Sequence, residues 1–153
     1  MAIERFHMNL LKPILLVALF CGACKSEPNW LPEFRSFIEE VNRDLEEIAS
    51  SFAPESSPQF AYIGFSRLDK VMDRVLRQLH ALIQKYPQLF DDTAIMARHL
   101  WPQIAQLKKN MSNVITLGTH WYQKLKNQPE IHVLVKGIQK KIREADRLTQ
   151  KKD

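Results

Sequence analysis

Apolar residues recur along this chain at alternating steps of three and four, and that spacing predicts helices. Leu31, Phe34, Ile38, Val41, Leu45, Ile48 and Phe52 form a first stripe, with Pro32 suited to an opening helical turn. Pro54 and Pro58, with Ser56 and Ser57 between them, break the pattern and predict a turn or loop. A second stripe, Leu68, Met72, Val75, Leu79, Leu82 and Tyr86, follows Ser66. The Ser66 hydroxyl suits a helix cap and Asp69 the positive end of the dipole, so this helix is expected to open at Ser66. It stops before Pro87, because the residue preceding a proline is disfavoured in the helical region.

A third segment opens near Asp92 and Thr93 and carries Leu100, Ile104, Leu107, Met111, Val114, Gly118, Trp121 and Leu125. Pro102 lies early in it and predicts a kinked or split helix there. Gly118 lies on the stripe and allows close approach of a facing helix or a bulky ring. The fourth segment begins around Pro129 and turns Ile131, Val135, Ile138, Ile142 and Ala145 inward, with Leu148 near its end. Segments of roughly twenty residues span about 30 Å each at the helical rise. With short connections they predict an all-α, antiparallel four-helix bundle with a left-handed twist. The same repeats suit a helical hairpin that completes its core by pairing with a second copy, so a homodimer stays open.

Charge bears on which helices are neighbours. The first helix carries Glu33, Glu39, Glu40, Asp44, Glu46 and Glu47 against Arg35 and Arg43, while the fourth is rich in Lys and Arg through Lys151 and Lys152. Arg67, Lys70, Arg74 and Arg77 make the second helix basic as well. In an up-down bundle the acidic helix is therefore expected to sit between the second and the fourth. Exposed ion pairs stabilise by only ~0–1 kcal/mol each, so the pattern selects an arrangement more than it strengthens one.

The amino-terminal stretch follows a different logic. Arg5 and Lys12 precede an apolar run from Pro13 to Cys24, which ends in the small residues Gly22 and Ala23. That run is shorter than the roughly 20 apolar residues needed to cross a bilayer, and its three parts are those of a secretory signal. Gly22-Ala23-Cys24 resembles the lipobox of bacterial lipoproteins, in which cleavage before the cysteine accompanies its diacylation. The resemblance covers only about the first two dozen residues, and Cys21 stands where that family usually has Leu. It implies cleavage between Ala23 and Cys24, lipid attachment at Cys24, and a place in the bacterial cell envelope. Lys25 stands where some sorting signals place an Asp for inner-membrane retention, which favours the outer membrane, with the domain facing the periplasm or the surface. An ordinary signal peptidase could also cut after Ala23. The expected organisation is a signal peptide at 1–23, a short tether at 24–30 and a helical domain at 31–153.

The rest of the composition restricts the chemistry. The whole chain carries a net charge of +5, and removal of residues 1–23 leaves the domain at +4, only mildly basic. Both cysteines lie in the signal region, so the mature chain has no internal disulfide to rely on. After the signal only Gly64, Gly118 and Gly137 remain, too few and too scattered for a phosphate-binding loop. His80, His99, His120 and His132 show neither a pair four apart nor a Glu-x-x-His spacing. No catalytic residues, metal ligands or cofactor are therefore assigned, and the chain is not expected to be an enzyme. Haem held by Met72, Met96 or Met111 with a histidine is a minor alternative, because methionine on an apolar stripe is usually packing. Nucleic acid is not an expected partner, since no nucleic-acid motif is present and the signal exports the chain.

Gln59-Phe60-Ala61-Tyr62-Ile63-Gly64-Phe65 places aromatic residues in a predicted connection. Phe60, Tyr62 and Phe65 are the candidate partner surface, set against the simpler reading that these rings close one end of the bundle. Trp30 is similarly open between a first core layer and the membrane interface. The function expected from all this is a lipid-anchored bundle that binds or scaffolds an envelope protein. A structural or inhibitory lipoprotein, of the immunity type, is the alternative, and a secreted periplasmic haem bundle the second.

Overall fold

A computed structural model describes residues 27–91 and 93–150. They form the expected all-α four-helix bundle: α1 (Leu31–Ser51), α2 (Pro58–Lys85), α3 (Thr93–Leu125) and α4 (Pro129–Thr149). Three of the starts fall where the sequence puts them, with a proline in the first turn of α1 and of α4. Pro102 lies inside α3, which continues through it unsplit, although its missing N–H removes one intrahelical bond. The signal region, with Ala23 and Cys24, lies outside the described residues, as do Lys151 and Lys152.

The second start differs from expectation. Helix α2 opens at Pro58, eight residues before Ser66, with Ser57 as its cap accepting a hydrogen bond from the Phe60 N–H at 3.3 Å. The Ser-Pro pair that reads as a loop is a cap followed by a proline at the first helical position, where its lost donor costs nothing. The segment 59–65 is therefore helical.

Successive helices run antiparallel, but the closest pairs are not successive. α1 packs on α3 and α2, and α2 packs on α1 and α4; α4 scarcely approaches α1 or α3 through its backbone. The order across the bundle is α3, α1, α2, α4, with α1 parallel to α3 and α2 parallel to α4. Contacts fix both directions: Asn42 reaches Gln103 and Phe52 reaches Trp121, while Asp69 meets Lys141 and, further along both helices, Leu76 and Leu79 pack with Ala145. The acidic α1 thus lies between two basic helices, but the second of them is α3 and not α4. What makes this possible is the connection after Tyr86, which crosses the start of α1. Leu89 in that connection is fully buried, and the Phe90 ring meets Phe34 edge-on with centroids 6.1 Å apart.

Trp30, Leu31, Phe34, Leu82, Tyr86, Met96 and Leu100 fill the core at that end. Trp30 is only 2% exposed and packs edge-on against Phe34, so it belongs to the first core layer. At the other end Leu45, Ile48, Phe52, Phe65, Trp121 and Ile131 close the bundle. Burial of such side chains contributes on the order of 1.5–3 kcal/mol each. Among the described residues no helix is long and apolar enough to cross a membrane.

Candidate interaction surface

The first two turns of α2 divide their aromatic residues between core and solvent. Helical spacing turns Ala61, Gly64, Phe65 and Leu68 inward, where all four are buried. The Phe52 ring lies so close to Gly64 that a Cβ there would stand 2.9 Å from Phe52 Cε1, which is why this position takes glycine. Phe65 stacks at a tilt against Phe52 with centroids 4.8 Å apart. Across from them the Trp121 indole N–H donates to the carbonyl oxygens of Phe52 and Ala53 at 3.1 and 3.3 Å, satisfying acceptors left over where α1 ends.

Phe65 is therefore a lid of the core, only 4% exposed, and not part of an outer surface. Phe60, Tyr62 and Ile63 are 59%, 42% and 41% exposed. Phe65 closes the bundle, as the simpler reading of this segment has it, while Phe60, Tyr62 and Ile63 are exposed to solvent. Val133, in the second turn of the neighbouring and parallel α4, is 69% exposed. It lies one turn before Gly137, whose missing Cβ would sit 3.4 Å from Asp69 Oδ1 of α2. The starts of α2 and α4 thus present exposed apolar side chains at the same end of the molecule. That end is opposite to the one where the chain enters at Trp30.

Charges flank this surface. Lys141 of α4 binds Asp69 at 2.7 Å and Asp73 at 2.9 Å, engaging both acids of α2. Burial works against the Lys141 ammonium, but its hydrogen bonds to Asp69 and Asp73 outweigh that cost and hold it above the usual lysine range. On its other side α2 joins α1: Arg74 bridges Glu40 and Asp44, and Glu33 accepts from Lys85 Nζ at 2.6 Å and from the Tyr86 hydroxyl at 2.9 Å. The hydrogen bond from Lys85, then that from Tyr86, keep the Glu33 carboxyl below its ordinary range, and the same contact raises Lys85.

A second polar feature lies between α1 and α3, and the stripes pass it by. Asn42 and Asn110 are buried at the contact, with Asn110 Nδ2 donating to Asn42 Oδ1 at 3.1 Å and to Glu46 Oε1 at 3.2 Å. Gln106 Nε2 donates to Asn110 Oδ1 at 3.0 Å, and Asn42 Nδ2 to the Gln103 carbonyl at 3.0 Å. A shallow groove of about 350 Å³ opens above them beside Pro102, rimmed by Glu39, Arg43 and Glu46. Its amides bond one another and it holds no nucleophile beside a base, so the arrangement pairs helices rather than reacting groups.

None of His80, His99, His120 and His132 is buried, whereas Met72 and Met96 are. The Tyr122 hydroxyl and His132 Nδ1 stand 3.0 Å apart near the α3–α4 turn, and His99 Nδ1 lies 3.5 Å from Glu27. Among the described residues no group of three His, Cys, Asp or Glu side chains is placed to hold a metal ion. No protein-family model, curated protein or solved structure matches the chain.

Proposed function

We propose that this chain is a lipid-anchored protein of the bacterial cell envelope, attached through Cys24, whose bundle binds or scaffolds an envelope protein. The observation that carries the binding half is the exposure of Phe60, Tyr62 and Ile63 on a capped, well-packed helix. Exposed aromatic and large apolar side chains on a rigid element are characteristic of contact surfaces. The anchoring half rests on Gly22-Ala23-Cys24 and on the shortness of the segment between that signal and α1. Trp30 is already in the core, so the tether from Cys24 to Asn29 spans at most about 20 Å when extended. On this reading the aromatic surface lies at the end of the bundle away from the lipid, where a partner can reach it. Two or three acyl chains at Cys24 would hold the protein firmly, each buried CH₂ contributing ~0.8 kcal/mol.

The test is metabolic labelling of the producing cells with an alkyne fatty acid. The chain should carry the label and fractionate with membranes, and Cys24→Ala should lose both. Label retained by that variant, or none on the original chain, overturns the anchoring half. The binding half is tested separately by crosslinking from Phe60. A structural or inhibitory lipoprotein, the alternative reading, would be anchored in the same way but would not need Phe60 for attachment to an envelope protein.

A further inference from the structure

We propose that the outer face of α2 receives an acidic amphipathic helix of a partner protein, its apolar side chains on Phe60 and Ile63 and its carboxylates along Arg67, Lys70 and Arg77. The proposal deepens the docking reading above and rests on it.

The five residues succeed one another at helical spacing on the side of α2 turned away from the core, and all five are exposed. From Phe60 to Arg77 the face runs for about 26 Å, or nearly five turns. It begins apolar and continues basic, and it carries no acidic residue. The acids of α2 are elsewhere: Asp69 and Asp73 are both engaged by Lys141 on the α4 side. Arg74 is likewise drawn off to Glu40 and Asp44 of α1. Arg67, Lys70 and Arg77 make no ion pair among the described residues, whereas Arg74, which shares their side of the helix, is committed to α1. The parallel α4 also carries exposed Lys136, Lys140 and Arg143, together with the exposed Glu144.

Complementarity to such a face requires carboxylates at helical spacing with an apolar anchor at one end, which is the helix-on-face mode of recognition. A lipid surface fits less well. Only two apolar side chains point outward on this face, at one extremity, and an interfacial helix needs an apolar face along its length.

The experiment uses the full chain in phosphatidylcholine nanodiscs with backbone amide resonances as the readout. The probe is a helical peptide of about five turns carrying Leu at every third or fourth position and Glu elsewhere, and the control has Lys for Glu. The Glu peptide should shift the resonances of Phe60, Ile63, Arg67 and Lys70. Its binding should weaken about tenfold on raising salt from low to twice physiological strength. Arg67→Glu with Lys70→Glu should weaken it by at least as much while the dispersed spectrum of the fold remains. Equal binding of the two peptides, or shifts confined to other faces, overturns the proposal. So does a shift of the same residues, without peptide, when half the lipid is replaced by phosphatidylglycerol. If the Glu peptide fails while Phe60 still crosslinks to a protein in cells, the acidic partner is refuted and the docking reading stands.

Discussion

The Asn110 side-chain amide donates to Asn42 Oδ1 at 3.1 Å in the middle of the α1–α3 contact, where both residues are buried. Two amides at facing core positions weaken packing compared with leucines, but they satisfy each other only in one register. They therefore favour one register of the parallel α1–α3 pair. Asn110→Ala should destabilise the fold by about 1–3 kcal/mol, because it leaves the buried Asn42 Oδ1 on α1 unpaired. Replacing Asn42 and Asn110 together by Leu should restore or exceed the original stability while broadening the amide spectrum, as alternative registers become populated. Urea unfolding and a proton–nitrogen correlation spectrum measure the two effects.

The three glycines of the described residues respond differently to a methyl group. Gly64→Ala forces the new Cβ to 2.9 Å from Phe52 and 3.0 Å from Ser51 Cβ, and should cost about 1–3 kcal/mol. Gly118→Ala meets Phe52 and Phe65 at 3.6 and 3.7 Å, ordinary contact, and should gain up to about 1 kcal/mol from helix propensity. Thermal unfolding of the two variants should move in opposite directions.

Lys141 ties α4 to α2, and its pKa is raised in the fold. A raised ammonium contributes stability that is fully present below the unfolded lysine pKa and is lost as pH rises through the higher folded value. The alkaline loss of stability should therefore be less steep in Lys141→Gln than in the original chain. Glu33 has the opposite sign: its lowered pKa contributes above the unfolded carboxyl value and is lost as pH falls through the folded one. Glu33→Gln should flatten the acid limb. Chemical unfolding across both pH ranges checks the pair.

Phe60 and Phe65 lie five residues apart on one helix, one facing solvent and the other buried. Phe60→Ser should change stability by no more than about 0.5 kcal/mol, and Phe65→Ser should cost at least about 3 kcal/mol by emptying the space beside Phe52. Equal effects in urea unfolding would show that Phe60 also belongs to the core.

Much of this fold is legible in the chain. The stripes and the prolines at the starts of α1 and α4 place those elements because a proline at a first turn both permits and marks a helix. The start of α2 is misread for the same chemical reason, since Ser57-Pro58 serves equally as a turn and as a cap. The neighbours of α1 are not legible from charge. α2, α3 and α4 all carry excess Lys and Arg, α3 having Arg98, Lys108, Lys109 and Lys124 and no acid, so the acidic helix cannot choose among them. Asn42 and Asn110 join α1 to α3, but they stand beside the apolar stripes and look like surface residues until the two helices are brought together. Of the surface at residues 60–65, composition singles out the segment, but only the helical phase separates Phe65 from Phe60.

The docking role of the α2 start stands or falls on photocrosslinking from position 60 in the producing cells. A photoreactive side chain in place of Phe60 should yield one dominant adduct with an envelope protein, and the same group in place of the exposed Asn113 of α3 should not. Phe60 giving no protein adduct, or the same products as position 113, would contradict that role.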